Sequence, residues 1–294
     1  MLQYIKRKLR KKREKLEEWY CEKKYELYHY FSNRTLEGRT YNDRELIVSL
    51  TSYPRRFGKL HIIIESLMRQ VLEPTRIVLW LAKEEVRGLE ELPASVRKYV
   101  GRGLVVKFID RNYRSYNKLV HAIREYPDSI IVTVDDDTIY FEEFLKGLYE
   151  KWLLFPNCVI AYACRVMVMK SSREFLPYRD WPFADFEGPS YRLFPLGYSG
   201  ILYPPNSLHE DVLRSDLFME LAPYNDDAWF KAMALLRGTK TVMVYGDAIE
   251  FPTIRSVDRI GLHSINVKGN LNDVQIKRIF DYYDLYPILD GENG

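Results

Sequence analysis

The chain has 294 residues, of which 47% are hydrophobic and 29% charged, enough for one large or two small domains with a packed core. Its three cysteines, Cys21, Cys158 and Cys164, have no metal-like spacing, which argues against a disulfide framework and for a reducing compartment. The net charge of +3 is uneven: residues 1 to 30 hold ten Lys/Arg against five Glu, and the remainder holds 34 basic against 36 acidic residues.

Residues 1 to 31 contain no Gly or Pro and are rich in Lys, Glu, Leu and Arg, which predicts a long helix. Leu2, Ile5, Leu9, Leu16 and Trp19 recur at helical spacing, while Lys6, Arg7, Lys8, Arg10, Lys11, Lys12 and Arg13 crowd the rest of its first turns. A basic amphipathic helix of this kind suits an anionic membrane surface. The same stripe would also serve to pack on the domain or on a second copy, making a homo-oligomer. Nucleic acid is disfavoured, because the basic excess stops with the helix. No apolar run approaches the roughly 20 residues of a membrane span, and no signal-peptide core is seen. A cytoplasmic protein is expected, peripheral at the inner face of the membrane if the helix binds lipid.

Ser32 to Asp43 reads as a linker, dividing the chain into a helical segment, 1–40, and a folded domain, 41–294. In that domain the runs Leu46 to Leu50, Ile77 to Leu81, Leu104 to Ile109 and Ile130 to Val134 predict strands. Helical patterns at Phe57 to Val71, Ala94 to Val100 and Asn117 to Tyr126 fall between them. This alternation predicts an α/β fold with a mostly parallel sheet. Further on come a helix at Phe141 to Phe155, a strand at Val159 to Cys164, and a long aperiodic stretch rich in Pro and aromatics from Arg165 to Tyr198. Gly197 to Tyr203 reads as a turn into a strand, Asp226 to Leu236 as a helix stopped by Gly238, Thr241 to Tyr245 as a strand and Asn272 to Tyr283 as a helix.

Strand ends are where such a fold builds its site. The fourth strand runs into Asp135, Asp136 and Asp137, three carboxylates that raise one another's pKa unless a cation or solvent screens them. Hard oxygen ligands there suit Mg²⁺ or Mn²⁺, which in turn hold phosphates; a solvated acidic turn has the same composition. Alternation along an extended chain lets Asp135 face a ribose while Asp137 faces the metal, with Asp136 binding too or setting the turn. After the first strand, Thr51, Tyr53, Arg55 and Arg56 offer hydroxyls, a stacking ring and phosphate-binding cations. Asp110 and Lys118 follow the third strand, as candidates for a ribose or base contact and a phosphate contact. Asp226 and Asp227 begin a helix, where carboxylates commonly serve as caps; functionally they supply a carboxylate not consumed by metal, free to act as general base. His263 and Lys268, in a Gly-flanked stretch, are candidates for a metal ligand and a phosphate partner.

The ordered set SLTSYP, VDDD and DD-W-F resembles bacterial glycosyltransferases of the GT-A fold, in particular family-2-like enzymes of capsule and lipopolysaccharide synthesis. The resemblance spans about residues 45 to 270. It implies a GT-A domain at 41–294 and a hexosyl transfer from a nucleotide-sugar donor, expected to carry UDP, to a glycan or lipid-linked acceptor. It also implies a divalent metal on Asp137, Asp135 and His263, and a base at Asp227 with Asp226 as competitor. The reaction expected is an inverting displacement, with Trp181, Phe183, Tyr191 and Tyr198 as the acceptor wall. The rival readings are a sugar nucleotidyltransferase, which would want a Gly-rich phosphate loop after the first strand, and a non-enzymatic membrane-associated scaffold.

Overall fold

The computed structural model describes residues 2–254 and 270–291. Its first element is α1 (Leu2–Phe31), followed by a short β1 (Thr40–Tyr41) that pairs antiparallel with β2 (Arg44–Thr51). From there strands and helices alternate as the hydrophobic periods require: α2 (Phe57–Met68), β3 (Arg76–Ala82), α3 (Ala94–Arg97), β4 (Leu104–Ile109), α4 (Asn117–Glu125) and β5 (Ile130–Thr133). β5 is buried along its whole length, as a strand covered on both faces must be.

The second half comprises α5 (Phe144–Leu154), β6 (Val159–Ala161), β7 (Cys164–Val166), β8 (Met169–Ser171), β9 (Glu174–Phe175), β10 (Leu193–Pro195) and β11 (Ile201–Tyr203). α6 (Ser215–Leu221), α7 (Asp226–Arg237), β12 (Thr241–Met243), α8 (Leu271–Tyr283) and α9 (Tyr286–Asp290) complete it. The central sheet runs β12-β6-β11-β5-β2-β3-β4. It is parallel except for β11, which lies antiparallel between β5 and β6, and the β1 edge.

Alternation along each strand divides the core into two layers. Leu46, Val48, Leu79 and Val132 point into one and Ile47, Val78, Trp80 and Ile131 into the other. Each fully buried aliphatic side chain of this kind contributes on the order of 1.5–3 kcal/mol. Gly238 ends α7 in the left-handed region, at φ 75°, the stop predicted from the sequence.

Two expectations need correction. The stretch from Arg165 to Tyr198 is not an irregular loop: β7 pairs with β10 and β8 with β9, forming two small antiparallel sheets whose strands are too short to show a period of two. The stripe on α1 is also not what docks the helix. Leu16 and Trp19 are exposed, whereas Tyr25 and His29 are buried against α2 and its neighbours. There His29 Nδ1 is 2.7 Å from the Tyr99 hydroxyl, which donates to the buried Glu65 at 2.8 Å.

Candidate active site

The end of β5 and the start of α7 face each other across a cleft of about 860 Å³. The β5 side is set by the turn after the strand. Asp135 N–H donates to the Tyr140 hydroxyl (2.9 Å), which in turn donates to the Tyr198 carbonyl (3.3 Å), so a buried tyrosine fixes where the carboxylates begin.

From that turn the three aspartates diverge. Asp136 accepts from Ser52 Oγ (2.6 Å) and from Arg56 Nη1 (2.5 Å), while Asp137 accepts from the same Arg56 nitrogen (2.7 Å). Asp135 instead accepts from Lys118 Nζ (2.7 Å). Burial pushes the Asp137 carboxyl up to about 6, with the Asp135 charge adding to it and Arg56 opposing it. Burial also raises Asp136, against the pull of Arg56 and Ser52. The side chain of Asp136 is only 8% exposed, whereas Asp135 and Asp137 keep 31% and 33%.

This donor set fits Mg²⁺ or Mn²⁺. Asp135 and Asp137 are hard oxygen donors, each held by a protein cation through one oxygen and each partly open to the cleft. Among the described residues no group of three His, Cys, Asp or Glu encloses a metal, so a cation here would complete its shell with water or a ligand's phosphates. His263 and Lys268 lie outside the described residues. The chain on either side of them borders the cleft: Ile254 N–H donates to the Asp137 carbonyl (2.7 Å), and Thr253 and Asn272 line the wall.

On the opposite side, Asn225 is the N-cap of α7, its side chain accepting from Ala228 N–H (3.0 Å). Asp226 and Asp227 therefore occupy the first turn without being used as caps, beside the positive end of the helix dipole. Asp226 is buried, and its Oδ2 makes no hydrogen bond, lying 3.5 Å from Lys118 Nζ. Asp227 reaches the cleft and accepts from Gly197 N–H (3.0 Å). Burial and the neighbouring Asp226 charge push Asp227 up to about 7, with Lys118 and the Gly197 N–H pulling the other way. Lys118 joins the two sides. Burial acts to lower its pKa, and Asp135, Asp226 and Asp227 together overcome this and carry it well above the ordinary lysine value.

Gly197 is a close-approach glycine: a methyl group there would lie 2.6 Å from Asp227 Oδ1 and 3.2 Å from Lys118 Nζ. Nothing local in the sequence marks Gly197 for this role, whereas Asn225, closing APYN at the helix entry, carries an N-cap signal. Arg165, also not singled out, is held at the cleft wall by the Trp181 carbonyl (2.5 Å), with its guanidinium over the rings of Tyr178 (5.2 Å) and Phe183 (4.7 Å).

Of the residues expected at the site, Thr51, Tyr53, Arg56, Lys118, Asp135, Asp136, Asp137, Tyr198, Asp226 and Asp227 line this one cleft. Four others do not. Arg55 is exposed outside it, and Asp110 is an exposed residue paired with Lys83 (2.5 Å). Trp181 is a core residue, 2% exposed, packed against Phe175, Tyr178 and Phe194, with its indole N–H donating to the Leu176 carbonyl (2.9 Å). Tyr191 lies by the end of α7, its hydroxyl donating to the Gly238 carbonyl (3.3 Å). Trp181 and Tyr191 are aromatic for packing, so the wall near Tyr198 is formed by Phe183, which was expected there, and by Tyr178, which was not.

No protein-family model matches the chain, and no curated protein matches it in sequence. Its fold is similar to that of S. aureus TarS 1-349, with a TM-score of 0.50 and 16% identity over 83% of this chain and 69% of that one. It is also similar to the mannosyltransferase PcManGT from Pyrobaculum calidifontis, solved with GDP-Man and Mn2+, at TM-score 0.49 and 14% identity over 95% of this chain and 76% of the other. A third similar structure is a 4-diphosphocytidyl-2C-methyl-D-erythritol synthase from Anaerococcus prevotii, at TM-score 0.48 and 16% identity over 81% and 99% of the two chains. The architecture is thus the GT-A, Rossmann-like one: a mostly parallel sheet flanked by helices, here preceded by α1.

Proposed function

We propose that the protein is a nucleotide-sugar-dependent glycosyltransferase acting by inversion. The observation that carries this reading is the pairing of two carboxylate groups across one cleft through Lys118, one partly open at the end of β5 and the other holding a proton to about pH 7 at Asp227. A general base is most effective when its pKa lies near the working pH.

In this reading the donor lies along the β5 side, with Thr51 and Tyr53 against the nucleoside. Arg56, braced by Asp136 and Asp137, keeps the aspartate turn in place. A divalent cation on Asp135 and Asp137 would supply positive charge to the departing nucleoside diphosphate. The acceptor enters between Asp227 and the wall of Tyr178, Phe183 and Tyr198, where ring faces suit a sugar. Asp227 takes the proton of the acceptor hydroxyl as that oxygen bonds to the anomeric carbon and the bond to the diphosphate breaks. Asp226, buried beneath it, holds Lys118 and keeps the Asp227 pKa high. The similar structures carry GDP-Man in one case and UDP in another solved form of TarS, so both nucleotides belong in the first screen.

A thermal-shift series with UDP-, GDP- and CMP-sugars, with and without Mn²⁺, followed by an assay of nucleoside diphosphate release, tests this reading. Stabilisation by a nucleotide sugar and release of the diphosphate are expected. Release of pyrophosphate from a nucleoside triphosphate and a sugar phosphate would make the protein a nucleotidyltransferase instead. Failure to bind any nucleotide would leave it a scaffold.

A further inference from the structure

The surface of α1 turned away from the domain takes no part in the cleft. On it Leu16, Trp19, Tyr20, Leu27, Tyr30 and Phe31 are 57 to 78% exposed. At 3.6 residues per turn these six fall in one stripe roughly 120° wide, opposite the docked side that carries Tyr25 and His29. An apolar stripe of this size on the outside of a folded domain marks a contact surface rather than ordinary scatter.

The charges around the stripe say what it meets. Between residues 12 and 31 the exposed charged side chains are Lys12, Arg13, Lys15 and Lys23 against Glu17 alone; Glu17 pairs with Arg13 at 2.8 Å and the half-buried Glu26 pairs with Lys23 at 2.5 Å. Glu14, Glu18, Glu22 and Glu26 are all partly buried, toward the domain, where Glu22 pairs with Lys59. The exposed charge around the stripe is therefore basic on balance, four cations against one carboxylate.

A second copy of the chain fits this face poorly. Lys12 falls in the angular sector of the stripe, so a two-fold contact through it would bring like charges into an apolar interface. A lipid surface fits both components, because lysine stems lie along the acyl boundary while their ammonium groups reach phosphates, and Trp and Tyr favour that boundary. Among the described residues no helix is long and apolar enough to cross a bilayer, so such a helix would lie along the surface.

We propose that the outer face of α1 docks the protein on an anionic phospholipid bilayer, with the Leu16 to Phe31 stripe in the acyl boundary and Lys12, Arg13, Lys15 and Lys23 at the headgroups. The proposal is independent of the donor and of the reaction.

Flotation of the full chain with phosphatidylcholine vesicles, with and without phosphatidylglycerol, tests it. Binding is expected only when the anionic lipid is present and should weaken as salt is raised. The triple variant Trp19→Ser, Tyr30→Ser, Phe31→Ser should bind at least about tenfold more weakly. Its melting temperature should be unchanged, because all three side chains are exposed. Failure of the wild-type chain to float with any vesicle, or equal flotation of the triple variant, would overturn the proposal. A dimer in sedimentation equilibrium that the triple variant dissolves would assign the stripe to a second copy instead.

Discussion

Asp135, Asp136 and Asp137 leave a buried strand into a turn supplied with two protein cations, whereas Asp226 and Asp227 begin a helix with one lysine between them and the first group. Burial raises carboxylates in both groups, to about 6 at Asp137 and about 7 at Asp227, but the first arrangement leaves two carboxylates partly open. The second confines charge where water is scarce, so one carboxylate holds its proton to about pH 7. In the proposed reading this difference separates a group that gathers cations from a group that moves a proton. Which residue does which follows from the geometry of burial rather than from the residue type, since all five are aspartates.

The largest test of this contrast removes the base. Asp227→Asn should retain donor affinity and lose transfer by about 10³-fold, since positioned proton transfer contributes roughly 10²–10⁴-fold. Calorimetry for binding and single-turnover release for chemistry make the measurement. Near-normal turnover in this variant, with loss in Asp226→Asn, would exchange the two roles.

Asp137→Ala should act on the other side, weakening Mn²⁺-dependent nucleotide binding on the order of tenfold or more while sparing metal-independent contacts. Undiminished metal-dependent affinity would remove Asp137 from the cation site. Gly197→Ala is smaller and more selective. The added methyl, 2.6 Å from Asp227 Oδ1, must displace the carboxylate. Transfer should fall about tenfold, with the donor dissociation constant unchanged.

The smallest effects are those of pH. A base with a pKa of about 7 is protonated below that value, so the transfer rate should rise with pH through a midpoint near 7. Stability runs the opposite way. The folded-state pKa of Asp227 lies above that of an unfolded aspartate, so its contribution is full at low pH and is lost as pH rises through about 7. Asp227→Asn should therefore melt at least about 2 °C above the wild type near pH ~8 and match it near pH ~3, below the ordinary aspartate pKa. Equal melting temperatures at both values would mean that Asp227 is not strained by ionisation.

Much of this arrangement was legible in the sequence, for reasons particular to each part. The run SIIVTV announces a buried strand by composition alone, and three successive aspartates after it announce a strand-end site. The start of α7 was legible too, though the cap is Asn225, one residue earlier than the carboxylates that looked like caps. What could not be read is pairing at a distance. Arg56 meets aspartates 80 and 81 residues away, and nothing in TSYPRR distinguishes it from the exposed Arg55. Trp181 misleads for a related reason: in a Pro-rich stretch with very short strands, a core aromatic and a wall aromatic have the same local sequence. On α1 the periodic stripe is real, but the docked side is made of Tyr25 and His29, which a hydropathy pattern ranks below leucine.

The Tyr140 side chain lends itself to a different kind of observation. Its hydroxyl takes the Asp135 N–H, the main-chain carbonyl of the same residue takes the Tyr25 hydroxyl of α1 at 3.4 Å, and the ring is fully buried. The Asp135 amide can therefore exchange with solvent deuterium only when that tyrosine lets go. One amide thus times the release of the aspartate turn from the Tyr140 hydroxyl. Followed through an exchange experiment, it would register a ligand in the cleft as a change in a single rate.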